Sequence, residues 1–474
     1  MTNKYNIHVF KTLEGNYMYD VNTDSIVKIP ESVYNYLELI EKDLPPQCEE
    51  PEYIHLLKNQ GYLKTKHVYK TEHPETILLR AHAANRLEGI ILQVTQNCNL
   101  NCTYCAYSGS YYNRVHSNKR MSLDIAKSAV DFYVKRTKNI DRLTIGFYGG
   151  EPLLEFRLIQ HIVEYINSKV EFKQVMYTMT TNATLLVPDI VEFLVEQDFQ
   201  IVISLDGPKE IHDKNRKFCD GGGSFDIVMK NLEVLKSRYP KYYRDNVSFN
   251  SVLETDKFNC VEQFFCKDKI FSRNTILTTL VNDVNAKVDF SKNNQFTSES
   301  KYSAFLSYLM TANRLNLTDI SPLNENLMNI LTLIRRGKTG KQRFELPDSW
   351  HHGGPCIPGV FRLFIDVDGT FFPCEKVSES SEDMIIGNLE NGFDYNKMEA
   401  ILNIERMNAD DCHSCWAYSE CKLCVGGINM FDNKETLKER CDGIRADIEE
   451  EFRDYCALCY LGYDNDRGIT RGIW

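Results

Sequence analysis

The sequence contains no run of about 18 apolar residues, the length that marks a membrane-spanning helix, so no membrane span and no membrane partner are expected. Met1 to Phe10 is polar and lacks the apolar core of a secretory signal, which points to the cytoplasm. Basic residues are not in excess: 55 Lys and Arg against 66 Asp and Glu give a formal net charge of −11. That argues against a broad phosphate-binding surface, and no nucleic-acid partner is expected. Internal repeats and low-complexity tracts are missing as well, which excludes a solenoid. What is left is the composition of a soluble globular protein, 43% hydrophobic and 26% charged over 474 residues. At roughly 100–200 residues per domain there is room for two to four domains. One residue type stands out by its number, cysteine, of which there are sixteen. In a cytosolic chain clustered cysteines read as metal ligands or catalytic thiols, not as disulfides, and their spacing decides.

The chain divides by pattern. Residues 1–70 give three short strands (around Ile7–Phe10, Tyr17–Val21 and Ser25–Ile29). A helix opened by Pro30 follows, carrying Val33, Leu37 and Ile40, and then a short helix from Tyr53 to Asn59 that ends at Gly61. Three strands and then helices make a winged-helix-like unit. Residues 71–87 read as a connecting helix. From 88 to 295 strand and helix patterns alternate, with strands expected at Ile90–Val94, Leu143–Phe147, Val175–Thr180, Ile201–Leu205, Val247–Val252 and Thr275–Val281. Repeated βα units imply a parallel sheet, and six of them fall short of a full barrel. The fold class is therefore α/β, with a partial (β/α)6 barrel at its centre. Residues 296–350 form a helical bridge with two helices between 296 and 337, and 351–474 reads as a separate cysteine-rich domain of short strands and turns.

The first cysteine constellation, Cys98-Asn99-Leu100-Asn101-Cys102-Thr103-Tyr104-Cys105, directly follows the first strand of the alternating region. Loops at the carboxyl ends of parallel strands build active sites. Iron–sulfur clusters take four cysteines, so three thiolates leave one iron open. The plain rival is a zinc knuckle with a distant fourth ligand. Cys98-x3-Cys102-x2-Cys105, with an aromatic residue before the last cysteine, resembles the signature of the radical S-adenosylmethionine (SAM) superfamily. The resemblance implies a [4Fe–4S] cluster whose open iron binds SAM, reductive cleavage to a 5′-deoxyadenosyl radical, and Tyr104 near the adenine. Further stretches match in order. Gly149-Gly150-Glu151-Pro152 matches the GGEP stretch, in which two glycines let backbone approach a ligand and Glu151 can accept from an ammonium. Thr180-Thr181-Asn182 closes the third strand. Ser204-Leu205-Asp206-Gly207-Pro208, running on to Arg216, resembles radical SAM peptide maturases and anaerobic sulfatase maturases. That implies Ser204 at the ribose and Arg216 clamping the SAM carboxylate, a task suited to a guanidinium. His212 reads as structural. Glycines 149 and 150, Glu151, Thr181, Asn182, Ser204 and Arg216 join Tyr104 as the cofactor-binding set. No general base can be named.

The second constellation comprises Cys356, Cys374, Cys412-x2-Cys415-x5-Cys421-x2-Cys424 and Cys441. It resembles the SPASM domain, which holds two auxiliary [4Fe–4S] clusters, although two residues rather than the usual three separate Cys421 from Cys424. The resemblance implies an outer cluster on Cys412, Cys415, Cys421 and Cys441, and an inner one on Cys356, Cys374 and Cys424. Either Cys456 or Cys459 completes the inner set, or that iron is open to a substrate thiolate. CxxC pairs also bind zinc, so a zinc-binding interaction protein without catalysis is the rival from another class. Cys48, Cys219, Cys260 and Cys266 match no motif and read as plain free cysteines.

Phe10 to Leu63 resembles the RiPP recognition element, a module that binds a leader peptide as an added strand. The stretch from Cys356 through Asp368-Gly369 to Cys374-Glu375 looks most like thioether-forming peptide maturases of the ranthipeptide type. Together these resemblances imply an enzyme that joins a cysteine sulfur to a carbon of another residue in a ribosomal precursor peptide. They also imply three [4Fe–4S] clusters and an external electron donor such as flavodoxin or ferredoxin. The alternatives are a formylglycine-forming sulfatase maturase and a carbon–carbon crosslinking maturase.

Overall fold

The computed structural model describes residues 4–105, 107, 111, 117–170, 173–253, 257–272, 274–281, 286–287, 294–315, 321–324, 345–353, 356–427 and 434–461. Three antiparallel strands open the chain: β1 (Ile7–Thr12), β2 (Gly15–Asp20) and β3 (Ser25–Ile29), with β2 in the middle. Helices α1 (Glu31–Glu41) and α2 (Glu52–Asn59) follow, both where the sequence places them. The period of two sorts this sheet into two faces. Ile7, Val9 and Met18 pack on Val33 and Leu37 of α1 and on Ile54 and Leu57 of α2. Phe10, Tyr17 and Tyr19, on the other face, pack on Phe452 and Tyr455.

Two-residue strands β4 (Lys70–Thr71) and β11 (Ser349–Trp350) pair with each other far across the sequence. Residues 71–87, expected as a helix, hold β4's end, a 3-10 turn at Pro74–Leu78 and a helix at Leu79–Asn85.

Six parallel strands then lie side by side in chain order: β5 (Gly89–Thr95), β6 (Arg142–Gly149), β7 (Gln174–Thr181), β8 (Gln200–Ser204), β9 (Val247–Leu253) and β10 (Ile276–Leu280). All six expected strands are present. β5 is buried along nearly its whole length, as a strand covered on both faces must be. The crossover helices carry apolar stripes. In Phe156–Lys169, Ile159, Ile162, Val163 and Ile166 are at most 1% exposed. Ser122 caps the helix Leu123–Val134 by accepting from the Ile125 amide at 3.2 Å.

The sheet does not stop at the parallel strands. β12 (Leu363–Ile365) pairs parallel with β5, and β13 (Thr370–Phe372), β14 (Gly387–Asn388) and β15 (Gly392–Phe393) extend it antiparallel to ten strands. The break expected at residue 351 is therefore no break in the sheet: Leu363, Phe364, Phe371 and Phe372 belong to the same core as β5 to β10. A 27-residue helix, Lys434–Tyr460, had no counterpart in the sequence reading, which took everything after 351 as short strands and turns. One helix of the expected bridge is present at Asn294–Thr311; the second falls outside the described residues. No helix among the described residues is long and apolar enough to cross a membrane.

Candidate active site and its cysteine centres

The loops leaving β5, β6, β7 and β8 meet at one edge of the sheet, the edge where parallel α/β folds place their chemistry. The loop after β5 carries Cys98, Cys102 and Cys105. Gly149 and Gly150 are what let the β6 loop lie against it. Gly149 has φ +141°, and a Cβ there would stand 2.0 Å from the Thr95 carbonyl oxygen. A Cβ on Gly150 would stand 2.2 Å from the Asn97 carbonyl oxygen. The Gly150 amide donates to Thr95 O at 3.1 Å and the Glu151 amide to Asn97 O at 3.0 Å. The close approach that demands glycine at these two positions is between the β5 and β6 loops.

The Glu151 carboxyl group is fully buried and accepts from the Leu153 amide (3.1 Å), Thr181 Oγ1 (2.8 Å) and the Asn182 amide (2.7 Å). It latches the β6 loop to the end of β7. Burial pushes it up to about 7 despite these three donors. Asn182 Nδ2 donates to Asn99 Oδ1 at 2.9 Å and lies 3.9 Å from the Cys98 sulfur. Asn99 in turn donates to Thr184 Oγ1 at 2.9 Å. The first half of the cysteine loop is tied to the β7 loop in this way.

The second half is tied to the segment after β8. Asn101 N donates to Lys217 O (2.7 Å), and Thr103 donates through its amide to Asn215 O (3.2 Å) and through Oγ1 to Asn215 Oδ1 (2.6 Å). This pairing sets Arg216 beside the loop, against the Cys102 thiol. Arg216 is not alone there. Its Nε donates to Asp206 Oδ2 at 3.0 Å, the Tyr104 hydroxyl donates to the same carboxylate, and the guanidinium lies over the Tyr104 ring at 5.5 Å. Asp206 is wholly buried, and its other oxygen accepts from the Val252 amide at 3.2 Å. Burial opposes the charge on Arg216, but Asp206 outweighs it and holds the guanidinium protonated. Sequence reasoning quoted Asp206 inside a motif and gave it no role. The signal was available: a guanidinium fixed in a buried site needs a counter-charge. Ser204 ends β8, nearly buried, and His212 is buried between the Asp206 amide and Ser224 Oγ, where burial and then Arg216 push it down to about 4. A neutral, fully engaged imidazole is a structural element.

The three thiols of the loop lie within electrostatic reach of one another. Burial first, and then their neighbours, push Cys98 up to about 12 and Cys102 to about 11. Bound metal reverses that preference, because a coordinated thiol is deprotonated outright.

A second thiol set lines one cavity: Cys412, Cys415, Cys421 and Cys441, with Arg445 close to the Cys415 sulfur at 3.9 Å. Burial pushes up all of Cys412, Cys421 and Cys441, with neighbouring sulfurs adding to it. Cys374 has Cys424 as its sulfur neighbour and packs on the main core; Cys356 is exposed ahead of β12. Cys456 and Cys459, offered above for the inner set, pack instead among Phe10, Tyr17 and Phe452, between the N-terminal sheet and the long helix. Cys456 is 3% exposed and its neighbours are Cys459, Glu14 and Lys28. Among the described residues no three His, Cys, Asp or Glu side chains converge on a single metal ion. Thiolates that each bond a different iron of one cluster need no such convergence.

Residues 92–256 match the family model described as the radical SAM superfamily. The chain carries a radical SAM domain. The radical SAM cyclopropyl synthase TigE of Paramaledivibacter caminithermalis is 28% identical over 197 residues, 40% of this chain and 40% of that protein. A cysteine-type anaerobic sulfatase-maturating enzyme of Clostridium perfringens (strain 13 / Type A) is 26% identical over 390 residues, 77% of this chain and 92% of that one. The chain spans less than half the length of the first curated relatives it matches, 49%, 40% and 42%. Among solved structures, native anSMEcpe with bound AdoMet superposes with a TM-score of 0.56 over 79% of this chain and 98% of that one, at 21% identity, a likeness of fold. A radical SAM domain implies SAM and a [4Fe–4S] cluster. Three thiols on one loop, Cys102 buried and Cys98 and Cys105 half-buried, mutually close and held at the carboxyl edge of the sheet, are a donor set that fits.

Proposed function

We propose that this chain is a radical SAM peptide maturase that installs thioether crosslinks, cysteine sulfur to a carbon of another residue, in a ribosomally made precursor peptide. Cys98, Cys102 and Cys105 would hold the SAM-binding cluster. Tyr104, Ser204, Asn182 and Arg216 would line the SAM site, with Gly149, Gly150, Glu151 and Thr181 building its wall. When bound there, SAM and the reduced cluster supply a 5′-deoxyadenosyl radical. Asp206 keeps the Arg216 guanidinium charged and in place for a carboxylate. Cys412, Cys415, Cys421 and Cys441 would hold an outer auxiliary cluster, and Cys356, Cys374 and Cys424 an inner one. Making a carbon–sulfur bond from S–H and C–H removes two hydrogens, so an electron acceptor is required, a role suited to an auxiliary cluster. A flavodoxin or ferredoxin would be the outside electron donor.

The observation that carries the reading is the N-terminal unit. Among the described residues β3 pairs on one side only, with β2, so its other edge can take a peptide strand. The opposite face of the same sheet is fixed to the body of the enzyme through Phe10, Tyr17 and Tyr19. A leader bound there is tethered near the cysteine centres.

One observation favours a second reading, formylglycine formation in a sulfatase: the match to the Clostridium perfringens sulfatase-maturating enzyme spans 92% of that protein. Of the related fold, one structure is described as native anSMEcpe with bound AdoMet and Kp18Cys peptide, so a peptidyl cysteine is a substrate feature both readings share. Co-expression with candidate precursor peptides and tandem mass spectrometry separates them. The expected product is lighter by two hydrogens per crosslink and has lost one thiol; it is absent when Cys102 is alanine. A product captured by a hydrazide, hence an aldehyde, overturns the thioether reading in favour of formylglycine.

A further inference from the structure

Glu405 and His352 are each 1% exposed, and the Glu405 carboxylate stands 3.1 Å from His352 Nδ1. Both lie in the wall of the cavity lined by Cys412, Cys415, Cys421 and Cys441. The imidazole faces two ways. Its Nε2 donates to the carbonyl of Leu423 at 3.0 Å, an oxygen that can only accept. Leu423 sits between Cys421 and Cys424, so His352 fixes the short loop that joins the two thiol sets. On its other side Nδ1 stands against Glu405 Oε2, with no hydrogen bond between them. Neither carboxylate oxygen of Glu405 has a hydrogen-bond donor among the described residues. A buried carboxylate left without donors costs stability, and such a group in a native fold calls for an explanation. The fold offers one, since Glu405 lies close enough to Cys412 to act on its sulfur electrostatically.

We propose that Glu405, held by His352, is an outer-sphere electrostatic partner of the outer auxiliary cluster and lowers its reduction potential. This rests on the reading above that the four cysteines hold a cluster. The reasoning is Coulombic. Adding an electron to a cluster beside a buried carboxylate is disfavoured, and screening by water is weak in a closed cavity. Cluster potentials span a wide range set by net charge, hydrogen bonds to sulfur and exposure, so a fixed anion in the wall is an effective lever. His352 confines that anion to one wall of the cavity and ties it to the Cys421–Cys424 loop. Arg445, close to Cys415 on the same cavity, acts in the opposite sense. Glu405 is a positioning and tuning residue in this account; it touches no substrate.

The test uses the full chain carrying Cys98→Ala, Cys102→Ala and Cys105→Ala, which removes the SAM-site ligands and leaves the auxiliary centres. Potentiometric titration followed by electron paramagnetic resonance gives their midpoint potentials. Glu405→Gln is expected to move one auxiliary potential to a more positive value and to leave the other, and the iron content, unchanged. Both potentials unchanged in a fully loaded Glu405→Gln protein overturns the proposal. Should that variant fail to load iron, Glu405→Met, apolar and of similar length, carries the same test with the same two outcomes. If the triple-alanine parent itself binds no iron, the cluster reading falls and takes this inference with it, a failure distinct from an unmoved potential.

Discussion

The two cysteine regions are built on different physical principles. The Cys98–Cys105 loop leaves a central strand and is stitched on both sides by protein hydrogen bonds, from the Gly150 and Glu151 amides to Thr95 O and Asn97 O on one flank and to Asn215 and Lys217 on the other. The walls of the Cys412–Cys441 cavity are short elements, a five-residue helix (Ala409–His413) and 3-10 turns, with one face of the long helix. Where secondary structure is that short, metal binding supplies folding energy. On the proposed reading, the first cluster would attach to a finished fold and the second would be part of what finishes it. Removal of iron breaks or sharpens this comparison and has the largest expected effect. After chelation, hydrogen exchange in β5 to β8 is expected to stay slow, while 404–427 and the long helix lose most of their protection. Equal protection in both regions would show that the contrast is wrong.

The next effect in size concerns the strand-supported centre alone. Asp206→Asn leaves Arg216 buried without its counter-charge, 7% exposed and beside Cys102. Breaking a buried pair from one side costs about 3–5 kcal/mol. Denaturant unfolding of the purified enzyme is expected to show that loss, together with weakened SAM binding by calorimetry. If stability is unchanged, the pair is not the internal brace described here.

Glu151 gives the same centre a pH signature. Its carboxyl holds a proton up to about 7 in the folded protein against 4.5 ordinarily. The folded state therefore binds more protons than the unfolded chain between those values. Stability falls as pH rises from about 4.5 to about 7, by about 3 kcal/mol, and is flat above that. In Glu151→Gln this part of the pH dependence should vanish. Chemical denaturation at pH 5, 6, 7 and 8 measures it, and an identical slope in both proteins would count against the buried latch.

The same contrast explains what the sequence made legible. The parallel strands were readable because strand and helix patterns alternate along the chain, and Cys98, Cys102 and Cys105 because they crowd one loop at a strand end. The four outer cysteines are grouped by the resemblance to the SPASM domain, and they line one cavity. What escaped was of another kind. Asp206 matters through its partner, ten residues on, and no local pattern exposes a buried pair. The part Gly149, Gly150 and Glu151 play in locking the β6 loop to its neighbours showed only in the fold, because residues that hold a site together look, in sequence, like residues that touch its ligand. The long helix was missed because Cys441, Gly443 and a run of charged residues mask its weak apolar stripe. Cys456 and Cys459 were offered for the inner set by residue type; the docking of the N-terminal sheet gives them an apolar setting.

That docking yields the smallest effect. His8 on β1 stacks face to face on Trp416, next to Cys415, at 3.8 Å and 5° between planes. Its two ring nitrogens meet Glu41 of α1 at 2.7 Å and Glu449 of the long helix at 3.0 Å. Burial opposes protonation, yet the two carboxylates win and the imidazole is held charged above its ordinary range. A raised imidazole stabilises the folded form below about pH 6.5 and gives that stability up as pH rises through the folded value. His8→Ala is expected to cost about 1 kcal/mol below neutral pH and less above it. Exchange should quicken in β1 and β2, with SAM cleavage untouched because the Cys98–Cys105 loop is braced elsewhere. A drop in SAM cleavage with His8→Ala would mean that the two cysteine regions are mechanically coupled, and the division between a finished fold and a metal-finished one would have to be abandoned.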